Sequence, residues 1–262
     1  MRVPVVQQHS RRRRALRRRA LWTGGELLVT AGVVLLLLVV QQLWWTNREA
    51  RRGAERQVQA LERQWGTQTP TSPPSTSPST PANTEAADGS SPHRTTTATG
   101  SGGSGGSTTT PNPSQAYAIL TIPRLHLRVP IAEGVSKRKV LNKGYVGHYP
   151  GTQQPGQAGN FALAGHRNTH GEPFRYLPRL RLKDTVRVET STATYTYTVD
   201  KILPQTSAAD SGVIRPIPRS TVKPSYGYSR PGYYITLTTC TPEFTSRYRM
   251  VVWGTLTSTR AR

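Results

Sequence analysis

The 262-residue chain contains one cysteine, Cys240, and few acidic side chains. A lone cysteine excludes an internal disulfide bond. The acidic residues of the C-terminal half are scattered, so they predict no calcium cage. His166 and His170 are four positions apart, but a loop context without a carboxylate cluster argues against a metal site. We therefore expect a protein that uses neither metal nor other cofactor.

Basic residues outnumber acidic ones, with 35 Lys and Arg against 13 Asp and Glu and a net charge of +22. Such a charge can indicate a nucleic-acid-binding protein. The sequence lacks the zinc-ligand spacing, the homeodomain-like helix and the aromatic signature that would accompany that function. A basic surface suits an anionic membrane or an acidic cell wall equally well. We expect no nucleic-acid partner.

Large apolar side chains are almost absent from residues 66–116, where Ser, Thr, Pro and Gly dominate. Such a segment cannot bury enough apolar surface to offset the entropy lost on ordering. The composition predicts a disordered linker. A flexible coil of about fifty residues has a root-mean-square span near 40 Å, so it can act as a tether.

An apolar stretch near the N-terminus predicts one membrane-spanning helix. Residues 1–20 carry an arginine-rich block, and residues 21–45 follow with a nearly uninterrupted apolar run. The arginines predict a cytoplasmic N-terminus and an extracellular remainder, as in a single-pass cell-membrane protein. A cleaved signal peptide shares this order, but no small-residue cleavage pattern follows Val40. Residues 46–65 are rich in Arg, Glu, Gln and Ala and predict a short, solvated, charged helix.

Residues 117–262 predict one all-β domain. Short runs rich in β-branched and aromatic residues alternate with Gly and Pro. Seven or eight strands at this spacing indicate a barrel or a sandwich. The predicted strands cover 118–122, 127–131, 161–164, 185–190, 194–202, 233–239 and 249–256.

Three polar residues lie at predicted strand ends. Cys240 ends one strand before a Thr-Pro break, and Arg249 begins the next. His166 ends an earlier strand, where the small Ala164 and Gly165 leave room beside the imidazole. A lone cysteine is usually a small buried hydrophobe, and a lone histidine is usually structural. Their common position at strand ends favours a reactive group at the rim of the sheet.

Three sequence blocks resemble the sortase family. They are GHYPGT from Gly147, GNFALAGHR from Gly159 and TLTTCTP from Thr236, with Arg249 nine positions after the cysteine. The signal-anchor, the long linker and the TLTTCTPEF form are most similar to class E sortases of actinobacteria. The resemblance covers about residues 117–256 and implies an eight-stranded β-barrel.

The resemblance also implies an activity. Sortases are cysteine transpeptidases that cleave a C-terminal sorting signal of secreted proteins, LAXTG or LPXTG, between Thr and Gly. An amine of lipid II or of the peptidoglycan stem peptide then resolves the thioacyl enzyme. By this resemblance Cys240 is the nucleophile, His166 the proton shuttle and Arg249 the group that positions substrate and stabilises the oxyanion.

Several assignments stay open. Arg247 is a rival for the guanidinium, because residues two apart on a strand share a face; the family pattern favours Arg249. Candidate substrate-binding residues are Thr239, Tyr226 and Tyr228, although each also suits an ordinary structural role. Two further functions remain possible, a membrane-tethered cysteine hydrolase and a non-catalytic cell-wall-binding β module.

Overall fold

The computed structural model describes residues 9–66, 112 and 114–262. One long helix, α1 (His9–Gly66), precedes eight strands that form a single barrel domain. The predicted disordered linker lies almost wholly outside the described residues. The strands are β1 (Ala116–Ile122), β2 (Leu127–Glu133), β3 (Val146–His148), β4 (Gly159–Ala164), β5 (Thr185–Glu189), β6 (Ala193–Ser207), β7 (Tyr233–Thr241) and β8 (Tyr248–Ala261).

The strands close into a barrel in the order β1-β2-β3-β4-β7-β8-β6-β5. This confirms the expected all-β, eight-stranded barrel. The sequence did not predict β3, because three residues are too few to show an alternating pattern. The structure has four short 3-10 helices in its described part, at Pro123–Leu125, Leu141–Lys143, Leu177–Arg179 and Ser211–Ile214.

The barrel interior holds the main hydrophobic core. Strand β5 shows the expected alternation, with Val186 and Val188 fully buried and Arg187 between them exposed. Trp253 is fully buried on the other side of the β7–β8 sheet and donates an indole hydrogen bond to the Val213 carbonyl. Burial of each large apolar side chain stabilises the folded barrel by about 1.5–3 kcal/mol. The residues at the strand ends are therefore attached to a stable barrel.

Two strand pairings bring the predicted site residues to one end of the barrel. Strands β4 and β7 run parallel, and Ala164 is paired with Thr238. Strands β7 and β8 run antiparallel, and Cys240 is paired with Arg249. The loop that begins with Gly165 and His166 therefore starts beside the end of β7, where Cys240 lies.

Helix α1 has two parts with different surroundings. Its N-terminal part contains an apolar window of mean hydropathy 2.2. None of the residues in this window is buried against the described part of the chain. That helix is long and apolar enough to cross a membrane by length and composition. At 1.5 Å per residue, the 58 residues extend roughly 87 Å.

The C-terminal part of α1 packs against the barrel. Ala54, Val58, Leu61 and Trp65 recur at intervals of three and four residues and are all buried. The last three contact a cluster on the outside of the barrel that includes Ile119. The expectation of a solvated helix over 46–65 is therefore wrong for this face, although the opposite face is exposed.

Candidate active site

A cavity of about 380 Å³ lies at the ends of β4, β7 and β8. His166, Cys240 and Arg249 all border it, and so does Thr239. The three residues predicted from separate strand ends thus share one cavity. A thiol, an imidazole and a guanidinium around one space can supply a nucleophile, a base and a charged donor for an oxyanion, which is a set suited to covalent acyl transfer.

Cys240 is placed by the last rungs of β7. The strand is buried from Tyr234 to Thr239, and the cysteine is the first half-buried residue after it. Its carbonyl oxygen accepts a hydrogen bond of 3.2 Å from Arg167 Nη1, which also donates to Thr241 Oγ1 at 3.0 Å. The backbone around the thiol is therefore fixed by the ladder on one side and by a loop arginine on the other.

The backbone before His166 is tied to β7 by two hydrogen bonds. The Gly165 amide donates to the Thr238 carbonyl at 3.1 Å, and Thr239 Oγ1 donates to the Gly165 carbonyl at 2.8 Å. Gly165 has no room for a side chain, since an added Cβ would lie 2.6 Å from the Phe174 ring. These contacts position the start of the His166 loop against the strand that carries the cysteine.

Among the described residues, one polar side chain is hydrogen-bonded to the imidazole of His166. Nε2 lies 2.9 Å from Asn142 Oδ1. An amide oxygen only accepts, so Nε2 carries the hydrogen and donates it. In the neutral ring, Nδ1 then keeps the lone pair that can accept a proton.

The surroundings of His166 favour its neutral form. Burial of the ring, together with the nearby His170 and Lys137, lowers the pKa of His166 to about 4. The His170 ring is stacked on it, with centroids 5.6 Å apart. At neutral pH the imidazole is therefore uncharged, and the lone pair of Nδ1 is free of a proton.

The structure gives the two candidate arginines different positions. Arg249 lies on β8, is half-buried and lines the cavity; its Nη1 donates to the carbonyls of Ser246 at 2.8 Å and Tyr248 at 2.9 Å. Arg247 precedes β8, is exposed, and its guanidinium carbon lies 5.2 Å from the centroid of the Tyr248 ring. The alternation of side chains along a strand could not distinguish the two arginines in the sequence. It does not apply to Arg247, because this residue lies outside β8.

The candidate substrate-binding residues have separate positions. Thr239 borders the cavity, but its hydroxyl is used in the bond to Gly165. Tyr228 stacks on Tyr234 at 4.0 Å and its hydroxyl donates to Asp200, while Tyr226 is partly exposed in a loop. Neither tyrosine is among the described residues that line the cavity. A substrate contact for Tyr226 or Tyr228 stays a prediction, and the position of these two residues gives it no support.

Sequence reasoning missed three residues of the site. Tyr149 lines the cavity and its hydroxyl lies 3.1 Å from Thr238 Oγ1; it belongs to the GHYPGT block, which was a usable signal. Arg167 directly follows His166 in the GHR sequence, which was another. Asn142 had no signal, because nothing in the sequence connects it with a histidine 24 positions later.

Within the described residues, no group of three or more His, Cys, Asp or Glu could hold a metal ion.

A family model described as a sortase domain matches residues 120–257. This chain belongs to the sortase family. The matched range contains all eight strands in whole or in part and the three cavity residues. The resemblance inferred from the three sequence blocks is thus confirmed.

Similar proteins point to class E sortases. Sortase SrtE1 of Streptomyces coelicolor is 52% identical over 155 residues, which are 57% of this chain and 43% of that protein. Sortase SrtE2 of the same organism is 38% identical over 49% of this chain and 51% of its own length. The chain therefore matches about half the length of these curated relatives.

Solved structures agree with this. Crystalline Sortase E1 from S. coelicolor, which holds a tripeptide in its active site, has a TM-score of 0.54 and 51% identity over 58% of this chain and 94% of its own. Sortase E from Streptomyces avermitilis has a TM-score of 0.51 and 41% identity over 57% and 93%. The sortase domain of this chain is thus similar in fold to these two sortase E structures.

Proposed function

We propose that this sortase is a membrane-anchored cysteine transpeptidase. It cleaves a C-terminal sorting signal of the LAXTG or LPXTG type between Thr and Gly and transfers the acyl group to an amine of lipid II or a stem peptide. The observation that carries this proposal is the single cavity bordered by Cys240, His166 and Arg249. The similarity to class E sortases supports it.

The first half of the reaction forms a thioester. His166 Nδ1 takes the proton of the Cys240 thiol as the sulfur attacks the Thr carbonyl carbon. The carbonyl oxygen becomes an oxyanion, which the permanently charged Arg249 stabilises. The C–N bond then breaks, and the His166 imidazolium gives its proton to the departing Gly amine. The enzyme is left acylated on sulfur with a neutral imidazole.

The second half reverses these roles. The acceptor amine attacks the thioester carbon, and His166 takes the proton that the amine loses. When the C–S bond breaks, the proton returns to the sulfur. A new amide and the free thiol result, so the cycle needs no metal or external oxidant. Water in place of the amine would give hydrolysis by the same residues.

We further propose that the chain is a single-pass protein of the cell membrane. Residues 1–20 lie in the cytoplasm, 21–45 cross the bilayer, 46–65 form a charged helix, 66–116 form the linker, and 117–262 act outside the cell. Support comes from the apolar window of α1 and the arginine block before it. Secreted proteins with a sorting signal would reach the cavity on this side.

The test is product analysis with LAXTG and LPXTG peptides and an amine acceptor. We expect an amide adduct, and mass spectrometry should find a thioester on Cys240. Cys240→Ala and His166→Ala should each abolish both. Free acid as the only product would establish the hydrolase instead. If Cys240→Ala left surface-protein anchoring unchanged in cells, the non-catalytic wall-binding module would be the better description.

A further inference from the structure

Helix α1 contacts the loop that follows His166 through two side chains. Asn47 Oδ1 accepts the Gly171 amide at 2.6 Å, and Arg51 Nε donates to the Gly171 carbonyl at 3.1 Å. Both bonds join positions at least 120 residues apart. Gly171 is in the left-handed region with φ +84°, and an added Cβ would meet the backbone of Gly144 at 3.3 Å. The helix thus binds both backbone groups of one loop residue.

An ionic chain extends from this helix toward the cysteine. Arg51 Nη2 lies 2.9 Å from Glu172 Oε2, and Arg175 Nη1 lies 2.7 Å from the same oxygen. Arg175 Nη2 also lies 3.3 Å from Glu243, three positions after Cys240. The Glu172 side chain is only 7% exposed, so loss of a partner leaves a largely buried carboxylate less compensated.

The same helix supports the segment that carries Asn142. Leu141 is buried in the cluster with Val58, Leu61 and Trp65 of α1. Gly144 has φ +80°, and an added Cβ would lie 2.7 Å from the Ala50 carbonyl oxygen, so helix and segment touch backbone to backbone. Asn142 lies between these two contacts and binds the His166 ring.

We infer that residues 47–65 of α1 form an intramolecular clamp that positions His166 for catalysis, with Asn47 and Arg51 as its positioning residues. The clamp holds His166 from two sides, the loop after it and the segment that binds its ring. This inference rests on the proposed function, in which His166 transfers protons.

The clamp lies next to the apolar part of α1. Arg51 is six residues after the exposed Trp45, which is roughly 9 Å along a helix. The anchor helix therefore has a second function besides attachment, because the part that leaves the membrane also completes the support of the histidine. A sortase domain without residues 47–65 would contain all three cavity residues but lack this support.

The test uses the full chain in detergent micelles, with the LAXTG peptide and an amine acceptor. Arg51→Ala and Asn47→Ala are compared with Arg52→Ala, an exposed arginine on the same helix. We expect each of the first two to lower kcat about tenfold with little change in KM, since a small misplacement of a catalytic group is costly. Arg51→Lys should recover part of the loss, because an ammonium can pair with Glu172 but cannot reproduce both bonds.

A structural readout accompanies the kinetics. Amide hydrogen exchange in the peptide covering residues 166–176 should accelerate in Asn47→Ala and Arg51→Ala but not in Arg52→Ala. The melting temperature distinguishes positioning from general support. A lower Tm with unchanged kcat per folded molecule would mean that the contacts only stabilise the fold, which overturns the inference.

The remaining outcomes separate the two proposals. If the clamp variants match Arg52→Ala in kcat and exchange while His166→Ala is inactive, the clamp is wrong and the proposed function stands. If His166→Ala stays active, the proposed proton-transfer role of His166 is wrong, and the clamp inference, which rests on that role, is wrong with it. Asn47→Ala removes a neutral side chain and leaves the Arg51–Glu172 pair intact, so it decides the question even if Arg51→Ala does not fold.

Discussion

Cys240 and Arg249 face each other on one rung of the barrel, whereas His166 depends on distant pieces of chain. The first two are paired directly in the β7–β8 ladder and are nine positions apart in sequence. The histidine ring is held by Asn142, and its loop by residues of α1. The two halves of the same site are therefore built in different ways.

The difference affects how firmly each half is held. The Cys240–Arg249 rung lies near the end of the β7–β8 ladder, and it continues directly into buried parts of both strands, where backbone bonds break rarely. The His166 loop is joined to β7 by the Gly165 amide, but beyond that point the imidazole ring and Gly171 are held by single side-chain bonds to Asn142 and α1, which are only partly buried. We expect the nucleophile and the guanidinium to be rigid, and the proton-transfer group to be adjustable by changes outside the barrel.

Among changes that leave the nucleophile and the base in place, the largest expected effect lies on the rigid half. Arg249→Ala should lower kcat/KM about a hundredfold or more, because the developing oxyanion loses its charged donor. Arg247→Ala should stay within about twofold of wild type, since an exposed surface charge contributes little. Steady-state transpeptidation with the LAXTG peptide measures both.

Arg249→Lys sharpens this test, because it keeps the charge and loses the planar donor fork. A rate well below wild type would assign the effect to geometry. Equal losses for Arg247→Ala and Arg249→Ala would contradict the assignment, and would mean that the position on β8 does not select the catalytic arginine.

The rigid half was also the half that the sequence could predict. The β-branched run before Cys240 and the apolar run after Arg249 follow ordinary strand preferences, and the strands form where they were expected. The sequence placed Cys240 at the end of one strand and Arg249 at the start of the next, and these two strands pair directly. The sequence also indicated His166, by its position at a strand end and by the family block that contains it, but it did not indicate what holds the ring.

The supports of His166 could not be predicted from sequence. The spacing of Val58, Leu61 and Trp65 marks an apolar face, but the Arg- and Glu-rich surroundings suggested a solvated helix. What covers that face depends on a barrel surface assembled from strands far along the chain. Asn142 illustrates the same limit, since a polar loop residue shows no periodicity that reveals its partner.

A smaller effect is expected when the support of the ring is removed. Asn142→Ala should lower kcat/KM about tenfold, because the amide no longer fixes the tautomer and the orientation of His166. Lys143→Ala, an exposed neighbour in the same 3-10 helix, serves as the matched control. If both variants behave like wild type, the His166 loop is rigid without its side-chain support and the contrast between the two halves disappears.

The smallest effect concerns the charge of His166. Its pKa of about 4 means that the acidic limb of the pH profile of kcat/KM should lie near pH 4, well below the usual range of histidine. Lys137→Met removes a positive charge that disfavours the imidazolium, so the pKa should rise and the base should be lost at a higher pH. Lys137 is exposed, so the shift should be small and should shrink as salt is added.

Lys139→Met is the control, since Lys139 is also exposed but does not line the cavity. It should leave the acidic limb in place. An acidic limb near pH 6.5 in the wild-type chain would show that His166 is more open to water than its packed loop implies. In that case the loop moves away from the barrel in solution, and the adjustable half of the site is looser than its contacts with Asn142 and α1 suggest.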